Sequence, residues 1–306
     1  SNKIGTMASL RLDQDPFAAV RDFGIEACQL VSWNPRTWAA ADPAALRRQA
    51  DKAGVEVAAC WVGYPGPRVW DFIQGPSTLG LVPAEFRRMR IDALKLGADF
   101  AAAFGAPAIV THCGFIPDTC VSDTYRGTLA AIYEIAAYCA DKKIGFWFET
   151  GQETPVTLLR VIEDLGIPGL GINLDPANLI LYGMGNPVDA LDVFGRYVRC
   201  LHAKDGLYPT NGRQLGREVK VGAGKADFPV LAAKLAALGF DGAYIIEREI
   251  SGDQQRADIA ATVQYLRTLI NSLACVAVGI VEHQPHQFGH RADAEFFADV
   301  AAVHVH

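Results

Sequence analysis

Short apolar runs rich in Val, Ile and Ala alternate along the chain with stretches whose apolar positions recur at helical spacing. The runs read as parallel strands buried on both faces, and the stretches between them as amphipathic helices that cover the sheet. Eight strand-helix pairs are predicted, with strands at residues 3–8, 25–33, 55–62, 107–113, 144–150, 170–175, 198–204 and 242–248. Boundary chemistry supports this segmentation. Asp15-Pro16 and Asp42-Pro43 open helices, while Gly24, Gly54, Gly166 and Gly239 stand just past helix ends.

Eight such units predict an α/β fold, a (β/α)8 TIM barrel, which needs about 250 residues before insertions. An open doubly wound sheet would carry a Gly-rich phosphate turn after its first strand, and none is present. The one glycine cluster, Gly222-Ala223-Gly224, falls late, in an extra loop spanning residues 206–227. A turn leading to an N-cap at Asp227 explains it better than a phosphate cradle does. The barrel is assigned to residues 1–273 and an extra C-terminal segment to 274–306. That tail combines an apolar run, His283, His286 and His290, and an amphipathic end. It is read as an arm packing on the barrel or as a contact with a second subunit of a homo-oligomer, and its irregular histidine spacing argues against a second metal site.

Composition narrows the partners. Half of the 306 residues are hydrophobic and 20% are charged, which suits a globular core rather than disorder. The net charge is −6, and no run of Lys or Arg forms a stripe that could track a phosphate backbone, so no nucleic-acid partner is expected. No apolar run approaches the roughly 20 residues of a membrane span, and no secretory pattern precedes the first strand. Seven cysteines, odd in number and never spaced C-x-x-C, point to a reducing cytoplasm rather than a disulfide framework.

Active sites of such barrels form at the C-terminal ends of the strands, where the loops converge. Four consecutive predicted strands stay apolar until a polar residue appears at that end: Glu149, Asp175, His202 and Glu247. The first two intervals are 26 and 27 residues, about one strand-helix unit each, and the last is lengthened by the extra loop. Each residue alone has a structural explanation. Asp175 before Pro176 is a good N-cap pair, His202 suits a hydrogen-bonded core position, and either glutamate suits a salt bridge, as with Arg248. Together they would bury three carboxylates at one barrel mouth, at a cost of several kcal/mol each unless a cation neutralises them. Three carboxylates and one imidazole suit one divalent ion, Mn first, with Mg, Co or Zn acceptable.

The segments FWFET (146–150), NLDPANL (173–179), LHAKD (201–205) and IIERE (245–249) resemble the xylose isomerase-like barrel superfamily. The likeness is to the sugar phosphate isomerase/epimerase group, which includes ketose 3-epimerases, inosose isomerases and dehydratases, and endonuclease IV. The resemblance implies that Glu149, Asp175, His202 and Glu247 are the metal ligands, and that the two glutamates double as the acid/base pair. Asn178 stands where the ketose epimerases have a substrate-binding His, and the region of the family's later substrate-binding Arg holds Tyr208. The implied activity is isomerisation or epimerisation of a ketose or related keto-polyol, through proton removal beside a carbonyl and an enediolate.

The same proton removal would also begin dehydration of an inosose or cleavage of a 3-keto sugar. Endonuclease IV-like chemistry requires more histidines than His112 and His202, the two that the barrel contains. A metal-dependent sugar-binding module would leave the paired glutamates without a purpose. Four more residues complete the expected site. His112, ending the fourth strand, would bind a substrate hydroxyl or polarise the carbonyl. Lys204 shares the inward face with His202 by strand alternation and would neutralise an oxyanion or pair with Asp205 or Glu249. Trp33 and Trp61, ending the second and third strands, would wall one face of a sugar ring or simply line the barrel.

Overall fold

The computed structural model describes residues 2–282, with side chains as far as Leu273. Ten strands form in chain order: β1 (Ile4–Ser9), β2 (Ala27–Ser32), β3 (Glu56–Val62), β4 (Ala108–Thr111), β5 (Gly145–Glu149), β6 (Leu170–Leu174), β7 (Val198–Ala203), β8 (Asp205–Leu207), β9 (Arg217–Val219) and β10 (Tyr244–Ile246). Eight of them close into a barrel in the order β1-β10-β7-β6-β5-β4-β3-β2, every neighbouring pair parallel. All eight predicted barrel strands are present, and the compact unit that contains them spans Ser1–Ile270.

Local chemistry sets the element ends. Asp42 accepts hydrogen bonds from the Ala44 and Ala45 amides, opening the helix Pro43–Ala53, which Gly54 closes in the left-handed region at φ 66°. Thr154 caps the helix Pro155–Leu165, and Gly166 at φ 58° ends it. Inside the barrel the apolar strand residues meet as Ala27, Ala58, Cys200, Ala243 and Ile245 on one side and Ala59, Trp61 and Val110 on another, with Met7 and Trp147 against both groups. Trp147 fits because β5 and β6 offer glycines beside it. A Cβ on Gly145 or Gly171 would stand 2.6 Å from its indole.

Two sequence expectations need correcting. The stretch 206–227 is not simply a loop, because β8 and β9 pair antiparallel, Asp205 opposite Val219. The glycine cluster does lead to Asp227 at the N-cap position of the helix Phe228–Ala237, but Asp227 sits at φ 50° and its side chain makes no capping hydrogen bond. The organising group is the Asp205 carboxylate. It accepts the amides of Gly206 at 2.8 Å and of Gly222, Gly224 and Ala226 at 3.0 Å each, which accounts for both features. A Cβ at Gly224 would run into this carboxylate, so the glycine is needed there. The last described helix, Asp253–Glu282, passes through the boundary placed after residue 273. The packing expected of the tail and its three histidines lie outside the described residues.

Candidate metal centre

The registers of β5, β6, β7 and β10 carry four polar side chains to one level. Glu149 lies opposite Asn173, Leu174 opposite Leu201 and His202 opposite Ile245, so Asp175 and Glu247, one residue beyond their strands, extend the same row. One donor atom from each of Glu149, Asp175, His202 and Glu247 lies within 4.8 Å of all the others. The His202 Nδ1 stands 3.0 Å from a Glu149 oxygen, 3.1 Å from Glu247 and 3.8 Å from Asp175. All four residues expected from the strand ends are therefore brought together.

Asp175 divides its work between its two oxygens. Oδ1 accepts the Asn178 amide at 2.9 Å, as the N-cap of the helix Pro176–Leu181. Oδ2 is buried without a hydrogen-bond partner and faces the cluster. Its nearest basic groups among the described residues are Lys204 Nζ at 3.5 Å and His202 Nδ1 at 3.8 Å, neither in hydrogen-bonding geometry, so this oxygen beside two more carboxylates is still open to a directly bound cation. This donor set therefore fits a divalent ion of the oxygen-preferring kind, with one imidazole. Thr150 fixes the backbone at this point: its hydroxyl accepts the Asp175 amide at 2.8 Å and donates to the Asp175 carbonyl at 2.9 Å.

A buried relay of side chains orients Glu149 and His202, and sequence reasoning missed it. The Asn173 amide nitrogen donates to a Glu149 carboxylate oxygen. The Asn173 carbonyl oxygen accepts from the Gln29 amide at 2.8 Å, and the Gln29 carbonyl oxygen then accepts from His202 Nε2 at 2.8 Å. The direction of this chain puts an imidazole proton on Nε2 and turns Nδ1 toward the carboxylates, the usual arrangement in which an outer partner orients a histidine that could bind a metal. Gln29 and Asn173 are both fully buried. The sequence does hold a signal for them, since each is a polar residue inside an apolar strand and Asn173 shares the face of Asp175.

Charge within the cluster is tightly coupled. Burial pushes Glu149 up to about 7, against the pull of His202. Burial also raises Glu247, but the charges of Lys204 and His202 outweigh it and hold this carboxyl below its ordinary range. Burial lowers His202, yet the neighbouring Glu149 and Glu247 drive it well above its usual value. Lys204, also buried, is raised by Glu247, Asp175 and Glu249 against the effect of burial. Its Nζ lies 3.0 Å from Glu249, 3.3 Å from Glu247 and 3.5 Å from Asp175. Its carboxylate neighbour is Glu249 and not Asp205, which is committed to the amides described above. Arg248 also turns away from Glu247, pairing with Glu218 and Asp258 at 2.9 Å.

The cluster opens into a cavity of about 260 Å3. Seven of the nine expected site residues line it: Trp33, Trp61, His112, Glu149, Asn178, Lys204 and Glu247. Asp175 and His202, both fully buried, do not. Trp33 and Trp61 form one wall with ring centroids 4.8 Å apart, and Trp70, which carries no recognisable sequence signal, extends it to within 5.2 Å of His112. His112 has no hydrogen bond at Nδ1, and burial lowers it to about 4. Gln152 and Glu249 complete the polar side of the cavity and were not assigned to substrate from sequence.

Comparison with known proteins agrees with this geometry. A family model described as a xylose isomerase-like TIM barrel matches residues 17–269. The solved structure of a xylose isomerase domain protein from Planctomyces limnophilus is 35% identical, with a TM-score of 0.83 over 89% of this chain and 98% of that one. An L-ribulose 3-epimerase shares the fold at 16% identity and a TM-score of 0.67, over 93% of this chain and 100% of that one. An uncharacterised protein of Methanocaldococcus jannaschii is 26% identical over 176 residues, 53% of this chain, and the match spans only 58% of that relative's length. A probable endonuclease 4 of Mycobacterium leprae is 24% identical over 236 residues, 74% of this chain and 86% of that protein. With the barrel closed, four donors converging at its mouth and a family model matched along most of its length, the chain belongs to the xylose isomerase-like TIM barrel family.

Proposed function

We propose that the protein is a divalent-metal-dependent isomerase or epimerase of a small ketose or related keto-polyol. One observation carries the reading. Of the four donors, Glu149 and Glu247 also line the cavity, so two carboxyl groups reach its occupant from β5 and β10, strands three places apart on the ring. The cavity volume is below the roughly 300–1,000 Å3 of sites for drug-sized ligands, which suits a monosaccharide. Its aromatic wall suits the apolar face of a sugar ring.

Glu149, Asp175, His202 and Glu247 would hold the ion, with Mn favoured. When bound, it would polarise the substrate carbonyl and a neighbouring hydroxyl and stabilise the negative charge that deprotonation creates. One glutamate takes the proton from the carbon beside the carbonyl. The other returns one from its own side, which inverts a centre or moves the carbonyl. Lys204 keeps Glu247 ionised and in place, while His112 and Asn178 face the substrate hydroxyls. The endonuclease reading needs a larger ligand set. Among the described residues one cluster of four is found, and Asn178 stands beside Asp175 where a further ligand is required. A cytoplasmic enzyme accords with six described cysteines that are all free thiols.

The test is a panel of ketoses, inososes and 3-keto sugars incubated with Mn-loaded protein in D2O and followed by proton NMR. The expected result is an isomeric product labelled at the carbon beside the carbonyl. Loss of water would assign a dehydratase instead, and an unlabelled product would mean a hydride shift. No turnover of any member would contradict the enzymatic reading.

A further inference from the structure

Gln152 combines burial, position and unmet hydrogen bonds in a way that the metal centre does not use. It lies on the loop after β5, lines the cavity, and is only 2% exposed, yet neither its amide nitrogen nor its carbonyl oxygen has a hydrogen-bond partner. The Tyr182 hydroxyl is close, but in a geometry short of a hydrogen bond. A buried carboxamide left empty at both ends is destabilising by itself, so its retention points to a ligand that completes it. The loop is pressed against two other cavity residues. A Cβ on Gly151 would stand 3.2 Å from Asn178 and 3.7 Å from the His112 ring, and His112 Nδ1 is likewise buried and unpartnered. Gln152 and His112 thus line one cavity, each with unfilled hydrogen-bonding positions, and the loop at Gly151 touches His112 and Asn178.

We infer that Gln152, which lines the cavity together with His112, is a specificity-determining residue that reads a hydroxyl of an uncharged polyhydroxy substrate. This rests on the cavity being the substrate site proposed above. A carboxamide donates and accepts at once, which a hydroxyl can answer with both its hydrogen and its lone pairs. A phosphate or carboxylate offers acceptors alone and would leave the Gln152 oxygen facing negative charge. Among the described residues the lining carries no free cation to offset that. Its charged residues are Glu149, Glu247, Glu249 and Lys204, and the lysine is already held among carboxylates.

The experiment uses the Mg-loaded full chain, with D-fructose, D-psicose, D-sorbose and D-tagatose, their monodeoxy analogues and their 6-phosphates as probes, and reads affinity by calorimetry. At least one neutral ketohexose is expected to bind tighter than its phosphate, and one deoxy analogue to bind about 10- to 100-fold more weakly. In Gln152→Leu that difference should fall to about threefold or less, with metal content unchanged. The same variant should melt no lower than the wild type, because it removes unsatisfied polar atoms. Gln152→Glu, acceptor-only, should bind the neutral sugar less well and serves as a second folded variant. Tighter binding of a phosphate, no binding of any neutral sugar, undiminished discrimination in Gln152→Leu, or a large drop in its melting temperature would each overturn the inference. Binding that follows this pattern without turnover or solvent label would contradict the isomerase reading and leave this one standing.

Discussion

Replacing Gln29 with leucine tests how far the metal centre depends on residues that never touch the ion. The side chain is fully buried and holds three partners: His202 Nε2 and the Asn173 oxygen at 2.8 Å, and the Cys200 sulfur at 3.3 Å. Leucine fills nearly the same volume but leaves the imidazole N–H and the Asn173 carbonyl oxygen unpaired. The imidazole is then free to place its proton on Nδ1, the atom that must coordinate. Loss of such an outer partner weakens metal binding by about 10- to 100-fold, equal to roughly 1.4–2.7 kcal/mol. Two newly unsatisfied buried groups should also cost the ion-free fold about 1–3 kcal/mol each. Gln29→Glu supplies a useful contrast. It keeps an acceptor for His202 but cannot donate to Asn173, so it should retain more affinity than the leucine variant. Affinity is read by competition with a chelator of known strength, alongside thermal melts of the chelated protein. If Gln29→Leu bound Mn as tightly as the wild type, the relay would have no part in holding the ligand geometry.

Three further outcomes are expected. Because burial pushes Glu149 up to about 7 and its carboxylate neighbours raise His202 well above its ordinary value, metal uptake must displace protons from both. Affinity should therefore rise with pH, more steeply below about pH 7 than above it, and affinity flat between about pH 5.5 and 8 would contradict this. Arg90, fully buried, donates to the carbonyls of Pro65, Pro67, Thr78 and Gly80 and so ties down the segment that carries Trp70. Arg90→Met should lose about 3 kcal/mol and melt roughly 5–10 °C lower; an unchanged melt would show that water replaces the guanidinium at no cost. Glu149→Gln and Glu247→Gln, where metal content is shown to persist, should each cut turnover at least about a hundredfold, and a normal rate in either would remove that residue from proton transfer.

The barrel and the convergence of four candidate donors were legible because both depend on repeats. A strand buried on both faces must be apolar along its length, so a carboxylate or imidazole at its end stands out, and spacings of one strand-helix unit bring Glu149, Asp175 and His202 to one level. Lys204 followed from simple alternation. Gln29 and Asn173 obeyed the same rule in reverse, as polar residues in mid-strand, but their partners come from β5, β6 and β7, and only the closed ring shows that they form one chain. Trp70 and Gln152 sit on loops, where no periodicity fixes which side chain turns inward. The helix start at Asp227 was legible, but not that its side chain would leave the cap unmade. The amides of the preceding turn are claimed by Asp205, some twenty residues earlier in the chain and outside the reach of any capping pattern.

The claim on which the rest depends is that four strand ends hold one divalent ion, and counting metal per chain addresses it directly. Wild-type protein, Asp175→Ala and His202→Ala are loaded with Mn, freed of loosely bound ion by dialysis, checked for folding and analysed by mass spectrometry. The wild type should retain one ion per chain. Each variant, having lost one of the four donors that lie within 4.8 Å of one another, should lose most of it while still folded. Full retention in both variants, or a folded wild type that holds no ion at saturating Mn, would contradict the assignment of the metal centre.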